Sequence, residues 1–180
     1  FLRRVRMNKK NLVKLTTVVT LLAGVAYISC SNQTVDAASW GAKTLFTTPK
    51  ATRGTWYYKE NGKIKHWKIT AHTSKGRKLY KVLPEKEYTK WWNKLVHQNT
   101  KKHYKTINKL DSSQWQAYTF KWHGTTSFNT NGWLAGTGDG IYYVPLTKTR
   151  YGRKVSALRF GGGARNWLDF YAYKSPELAK

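Results

Sequence analysis

Apolar and polar positions alternate in short runs over most of this chain, and Gly-containing pairs interrupt the runs. Period-two alternation bounded by turn residues marks half-buried strands. Arg53–Lys59 is rich in β-formers and runs into Asn61-Gly62, the strongest two-residue hairpin signal. On the return, Lys63–Thr73, Trp67, Ile69 and Ala71 share one face while Lys68 and Thr70 share the other. A second turn at Gly76 leads into Lys78–Leu83, which completes a meander. Gln114–Gly124, Ile141–Leu146, Lys154–Phe160 and Asn166–Tyr173 are further strand candidates. In the first of these, Trp115 and Ala117 hold one parity and Tyr118, Phe120 and Trp122 the other, so a bulge is expected near Ala117-Tyr118. Ser127–Gly140 reads as turn-rich, with Asn131-Gly132 a second hairpin candidate.

The period changes between Pro84 and His97. Tyr88, Trp91, Trp92, Leu95 and Val96 recur at helical spacing, with Lys86, Lys90 and Lys94 elsewhere on the wheel. Pro84 and Glu85 suit a first turn. Thr100–Ser113 is polar and basic and reads as a loop or edge strand. The expected fold is mainly β: a small antiparallel barrel or sandwich of about seven strands, with one amphipathic helix near 84–97. Residues 38–52 form a leader and 53–175 a single β-rich domain.

The first 37 residues have a different pattern. A basic stretch from Met7, the expected start, precedes the apolar run Leu15–Ile28, and small residues around Val35-Asp36-Ala37 follow. That order predicts a secretory signal peptide, and the apolar run falls short of the roughly 20 residues a spanning helix needs. Cys30 lacks a lipobox, because Tyr27 stands where leucine is expected. Cleavage after Ala37 leaves no cysteine, and hence neither a disulfide nor thiol chemistry.

Charge narrows the class of partner. The 180-residue chain carries a formal +25, and residues 38–180 keep 27 basic against seven acidic residues. In a secreted or cell-surface protein such a charge attracts anionic partners: a cell-wall polymer such as teichoic acid, an acidic glycan, or a membrane surface. No physiological nucleic acid is expected, although interleaved basic and aromatic residues also suit single strands.

Catalytic and metal constellations are missing from the spacing. The few carboxylates form no obvious acid–base pair, and Glu85 and Glu87 face apart on the expected helix. His66, His72, His97, His103 and His123 are scattered without ligand spacing, so no metal and no cofactor is expected. Gly136–Gly140 and Gly161–Arg165 lack the Walker pattern and read as tight turns.

Nine tryptophans and twelve tyrosines exceed what so small a core needs, so some rings are expected outside. The candidate contacts are Lys59, Lys63, Lys65 and Lys68 beside Trp67, with Arg53, Gly54 and Trp56 as structural residues. Arg53-Gly54-Thr55-Trp56-Tyr57, preceded by Thr48-Pro49-Lys50, resembles small secreted proteins of lactic-acid bacteria with a Lys/Tyr/Trp-rich β domain. That resemblance implies export and surface residence. The shorter Gly54-Thr55-Trp56 resembles the start of calycin barrels, the lipocalin and avidin-like group. It implies that Trp56 plugs a barrel end against a later cation, for which Arg159 and Arg165 are candidates. The favoured expectation is a secreted binding module for anionic envelope polymers. A calycin-like carrier of a small apolar ligand, a membrane-active bacteriocin-like protein and an envelope hydrolase are the alternatives.

Overall fold

A computed structural model describes residues 44–135 and 139–180. The expected signal peptide, Cys30 and residues 38–43 of the leader lie outside the described residues, as do residues 136–138 of Gly136–Gly140. Among the described residues nine strands form a closed barrel in chain order: β1 (Gly54–Glu60), β2 (Lys63–Ile69), β3 (Thr73–Ser74), β4 (Arg77–Lys81), β5 (Gln114–Trp122), β6 (Thr125–Asn131), β7 (Ile141–Arg150), β8 (Arg153–Gly162) and β9 (Trp167–Tyr173). Helices α1 (Glu85–Val96) and α2 (Thr100–Ser113) join β4 to β5, and a short α3 (Pro176–Ala179) ends the chain. The ring closes through Tyr57 opposite Tyr173. Neighbours are antiparallel except β4 and β5, whose parallel pairing requires the long helical crossover between them.

Hairpin geometry follows the turn chemistry. Asn61-Gly62, Lys75-Gly76, His123-Gly124 and Tyr151-Gly152 each place two successive residues at positive φ. Positive φ at both central residues defines the two-residue turn whose twist matches the strands. In each pair glycine takes the second of these positions at no steric cost.

Two expectations about strands are corrected. Thr125–Asn131 is a strand and not a turn, and its ladder runs to both neighbours. Asn129, Asn131 and the following glycines give the stretch its turn-like composition, but its threonines and Phe128 favour a strand, and two ladders with a buried Phe128 decide it. The bulge expected near Ala117-Tyr118 is absent, because β5 pairs with β6 without a register shift. Both parities of β5 carry apolar residues because Ala117 faces the core while Tyr118, Phe120 and Trp122 stay on the outer wall. The irregularity in the sheet sits between Phe160 and Gly161.

Aromatic rings fill the barrel. Phe128 stacks on Tyr143 at 4.2 Å, Tyr58 on Phe170 at 4.3 Å and Phe160 on Phe170 at 4.6 Å. Trp67 lies among them, 5.1 Å from Phe160, and its Nε1 donates to Ser74 Oγ at 2.8 Å. Ser74 in turn donates to the Tyr143 hydroxyl at 3.0 Å, and that hydroxyl lies 3.3 Å from Thr130 Oγ1. This chain satisfies polar atoms that burial would otherwise leave unpaired.

Burial pushes the Tyr143 pKa up to about 12, against the opposing pull of its hydrogen bonds to Ser74 and Thr130. An unfolded tyrosine loses its proton near pH 10. Between about pH 10 and 12 the unfolded chain therefore binds fewer protons than the folded one, and stability falls as pH rises. Tyr143→Phe is expected to flatten this alkaline loss. Urea midpoints across the window measure it, and identical slopes for the two proteins would refute the assignment.

The base of the barrel is built on β1. Trp56 is 1% exposed, its Nε1 donates to the Thr52 carbonyl at 2.7 Å, and Lys174 Nζ sits 3.5 Å from its ring. The cation on Trp56 is therefore Lys174, where the calycin resemblance implied Arg159 or Arg165. Arg159 instead grips Asn166 with both arms at 2.6 Å, and Arg165 lies exposed in the β8–β9 turn. Lys174 also donates to the Arg53 carbonyl at 2.6 Å, and its partial burial lowers its pKa. Gly54 adopts φ +113°, a region side chains avoid, and a Cβ there would come 2.7 Å from Lys174 Nζ. Arg53 holds the incoming segment, donating to the Thr48 carbonyl through Nε at 3.1 Å and Nη2 at 2.7 Å.

Two outer layers complete the fold. Leu95 of α1 and Leu110 of α2 pack with Tyr80 and Trp133 against one side of the barrel. Helix α2 replaces the loop or edge strand expected at Thr100–Ser113. Asn99 caps it by accepting from Lys102 N–H at 2.9 Å, and Ile107 and Leu110 lie three apart on the packed face. The other layer is α3, where Ala179 packs with Ala157 and Tyr173.

Candidate functional site

The opening hairpin divides the residues that its sequence groups together. Lys59, Lys63, Lys65 and Lys68 are all exposed. Trp67 is not beside them on the surface, because strand alternation sends it into the core. Lys65 is engaged in an ion pair with Glu60, which raises its pKa through the hydrogen bond first. Lys68 lies opposite Thr55, four residues along β1 from Lys59, or about 13 Å. On the outer face of the hairpin Lys59 and Lys68 instead flank Tyr57 and the exposed His66, whose rings lie 6.5 Å apart.

The outer wall of β5–β7 carries a cluster of outward-facing aromatics, while the most exposed rings, Tyr151, Tyr104 and Trp167, stand apart from it. Tyr118, Phe120 and Trp122 project outward from β5, and Tyr142 joins them from β7. Phe120 meets Tyr142 edge-on at 5.5 Å, Tyr118 lies 6.4 Å from Phe120, and Arg159 covers Trp122 at 5.3 Å. Beyond Ala117, β5 has no β4 partner, and a concavity of about 290 Å³ opens there between Lys81, Val82 and Tyr118.

Asn129 lies in the middle of this wall. It pairs across the ladder with Tyr118 on one side and Tyr142 on the other, so all three side chains occupy one outer row. The two phenols hydrogen-bond to each other. Burial, then the neighbouring Tyr142 and that hydrogen bond, raise the Tyr118 pKa. The phenols meet from strands on either side of β6, and Asn129 beneath them is 0% exposed.

A second concavity of about 460 Å³ lies at the β7–β8 tip beside α3. Arg150 is occupied there: its Nε donates to the Leu178 carbonyl at 3.1 Å, and its guanidinium lies between the Tyr151 and Tyr173 rings. Arg153 and Lys154 stand exposed nearby.

Among the described residues no three His, Cys, Asp or Glu side chains gather as a metal site. No helix among them is long and apolar enough to cross a membrane. No family model, curated protein or solved structure matches the chain. The β5–β7 row escaped the sequence reading because its parity was taken for a bulge; the signal was the i, i+2, i+4 spacing of Tyr118, Phe120 and Trp122.

Proposed function

We propose that this protein is an exported, cell-surface module that binds an anionic envelope polymer such as teichoic acid or an acidic glycan. The observation that carries this reading is the division of labour in the barrel. Its interior is occupied by its own stacked rings, while the outside combines exposed lysines with an aromatic wall. Long-range attraction comes from cations such as Lys59, Lys63 and Lys68, and short-range grip from the rings of β5 and β7. The filled interior favours this reading over a carrier of a small apolar ligand.

The test is retention of the purified protein on cell walls, with and without their teichoic acids, across a salt series. Binding is expected to weaken at least tenfold between about 0.1 M and 1 M salt, as the Debye length falls from about 10 Å to about 3 Å. Stripping the acids should have the same effect. Retention indifferent to both salt and stripping would overturn the reading. Anionic vesicles form a further arm, because Trp92 and Val96 on α1 remain 37% and 42% exposed near Lys90 and Lys94. Binding there without binding to walls would move the partner from polymer to lipid.

A further inference from the structure

The amide of Asn129 has an orientation that its neighbours dictate. One end of the Asn131 amide faces the carbonyls of Asp139 (2.9 Å) and Thr130 (3.0 Å) together with Asn129 Oδ1. Three acceptors around one amide end make that end the nitrogen. Asn131 therefore donates to Asn129 Oδ1, which leaves Asn129 Nδ2 pointing the other way. That nitrogen is fully buried and has no hydrogen-bond partner. Leaving a buried donor unpaired is costly, and this one lies in the row between Tyr118 and Tyr142.

We propose that Tyr118, Tyr142 and Asn129 form a closed sugar clasp: the phenols part, a pyranose ring enters between them, and Asn129 Nδ2 donates to an acetamido carbonyl on the sugar. This rests on the polymer reading above and names the unit of the polymer that is recognised. The chemistry follows from what the row offers. Flat rings on both sides suit the apolar face of a sugar. A lone N–H donor calls for an acceptor without a proton of its own, and a carbonyl meets that better than a hydroxyl. The donor the row offers is an uncharged N–H, which suits a neutral sugar, and Lys81, exposed beside Tyr118, is the one cation at its edge without a side-chain partner among the described residues. Both arms of Arg159 hold Asn166, and Lys121 Nζ donates to Thr126 Oγ1 at 2.6 Å. The Tyr118–Tyr142 hydrogen bond holds the clasp shut and competes with the ligand.

Titration of the full chain with an N-acetylglucosamine tetramer, followed by tryptophan fluorescence, tests this against a glucose tetramer. The acetylated sugar is expected to bind at least tenfold tighter, and 1 M salt should change its affinity less than twofold. Asn129→Ala should weaken it at least tenfold. Tyr118→Phe keeps the ring but removes the closing hydrogen bond, so it should tighten binding two- to tenfold. A merely structural Tyr118 would not produce that gain. Equal affinity for the two sugars, or Asn129→Ala binding within twofold of wild type with an unchanged near-ultraviolet spectrum, would overturn the clasp. If Asn129→Ala does not fold, the sign of the Tyr118→Phe effect decides. Wild-type protein that ignores both sugars yet still binds walls in a salt-dependent way would sink the clasp alone. Failure on walls as well would sink the polymer reading with it.

Discussion

Trp67→Ala is expected to cost about 3–5 kcal/mol of stability, as for other large-to-small changes in a packed core. Trp67 is 7% exposed, lies 5.1 Å from Phe160 and 6.1 Å from Tyr143, and starts the hydrogen-bond chain through Ser74. Alanine would leave a cavity in the middle of the barrel and remove one partner of Ser74 Oγ. Its strand neighbour Lys68 faces solvent, so Lys68→Ala should stay within about 0.5 kcal/mol. Urea unfolding of both variants measures the contrast. A Trp67→Ala protein within 1 kcal/mol of wild type would contradict its place in the core and return it to the surface hairpin.

Trp56→Ala should cost a similar amount, about 3–5 kcal/mol, and should also uncouple Lys174. The ring is 1% exposed and lies beneath the Lys174 ammonium at 3.5 Å. Lys174→Met removes that cation and its bond to the Arg53 carbonyl, for an expected loss of about 1–2 kcal/mol. The two losses should not add. A double-mutant cycle is expected to show coupling of about 0.5–2 kcal/mol, because the ammonium gains from the ring only while the ring is there. Strict additivity would mean that the contact is geometric and carries no energy. Gly54 belongs to the same unit, since its φ of +113° lets the chain pass Lys174.

Local signals were reliable where one short stretch contains its own cause. Asn61-Gly62 produces a turn because both residues tolerate positive φ, and this needs no distant contact. The alternation of Trp67 and Ile69 against Lys68 survives as buried against exposed, because period two is a property of any strand. The helix over Glu85–Val96 follows from its apolar stripe, and Leu95 lies at the centre of the packed face. The candidate site was less legible. Strand alternation already separates Trp67 from Lys68, but grouping by composition placed them together.

By itself the sequence determined the mainly β class, the turns at Asn61-Gly62 and Gly76, the helix after Pro84 and the excess of positive charge. Each of these depends on residue type and near-neighbour spacing. Asn131-Gly132, expected as a hairpin, instead opens the longer connection between β6 and β7. Only the tertiary structure decided that Thr125–Asn131 is a strand, that β4 pairs parallel to β5, that Lys174 and not Arg159 or Arg165 covers Trp56, and that Asn129 lies between two tyrosines. Each of these depends on which strands become neighbours when the ring closes. That choice is set by the burial of rings such as Phe128, Tyr143 and Phe160, which are remote from one another along the chain.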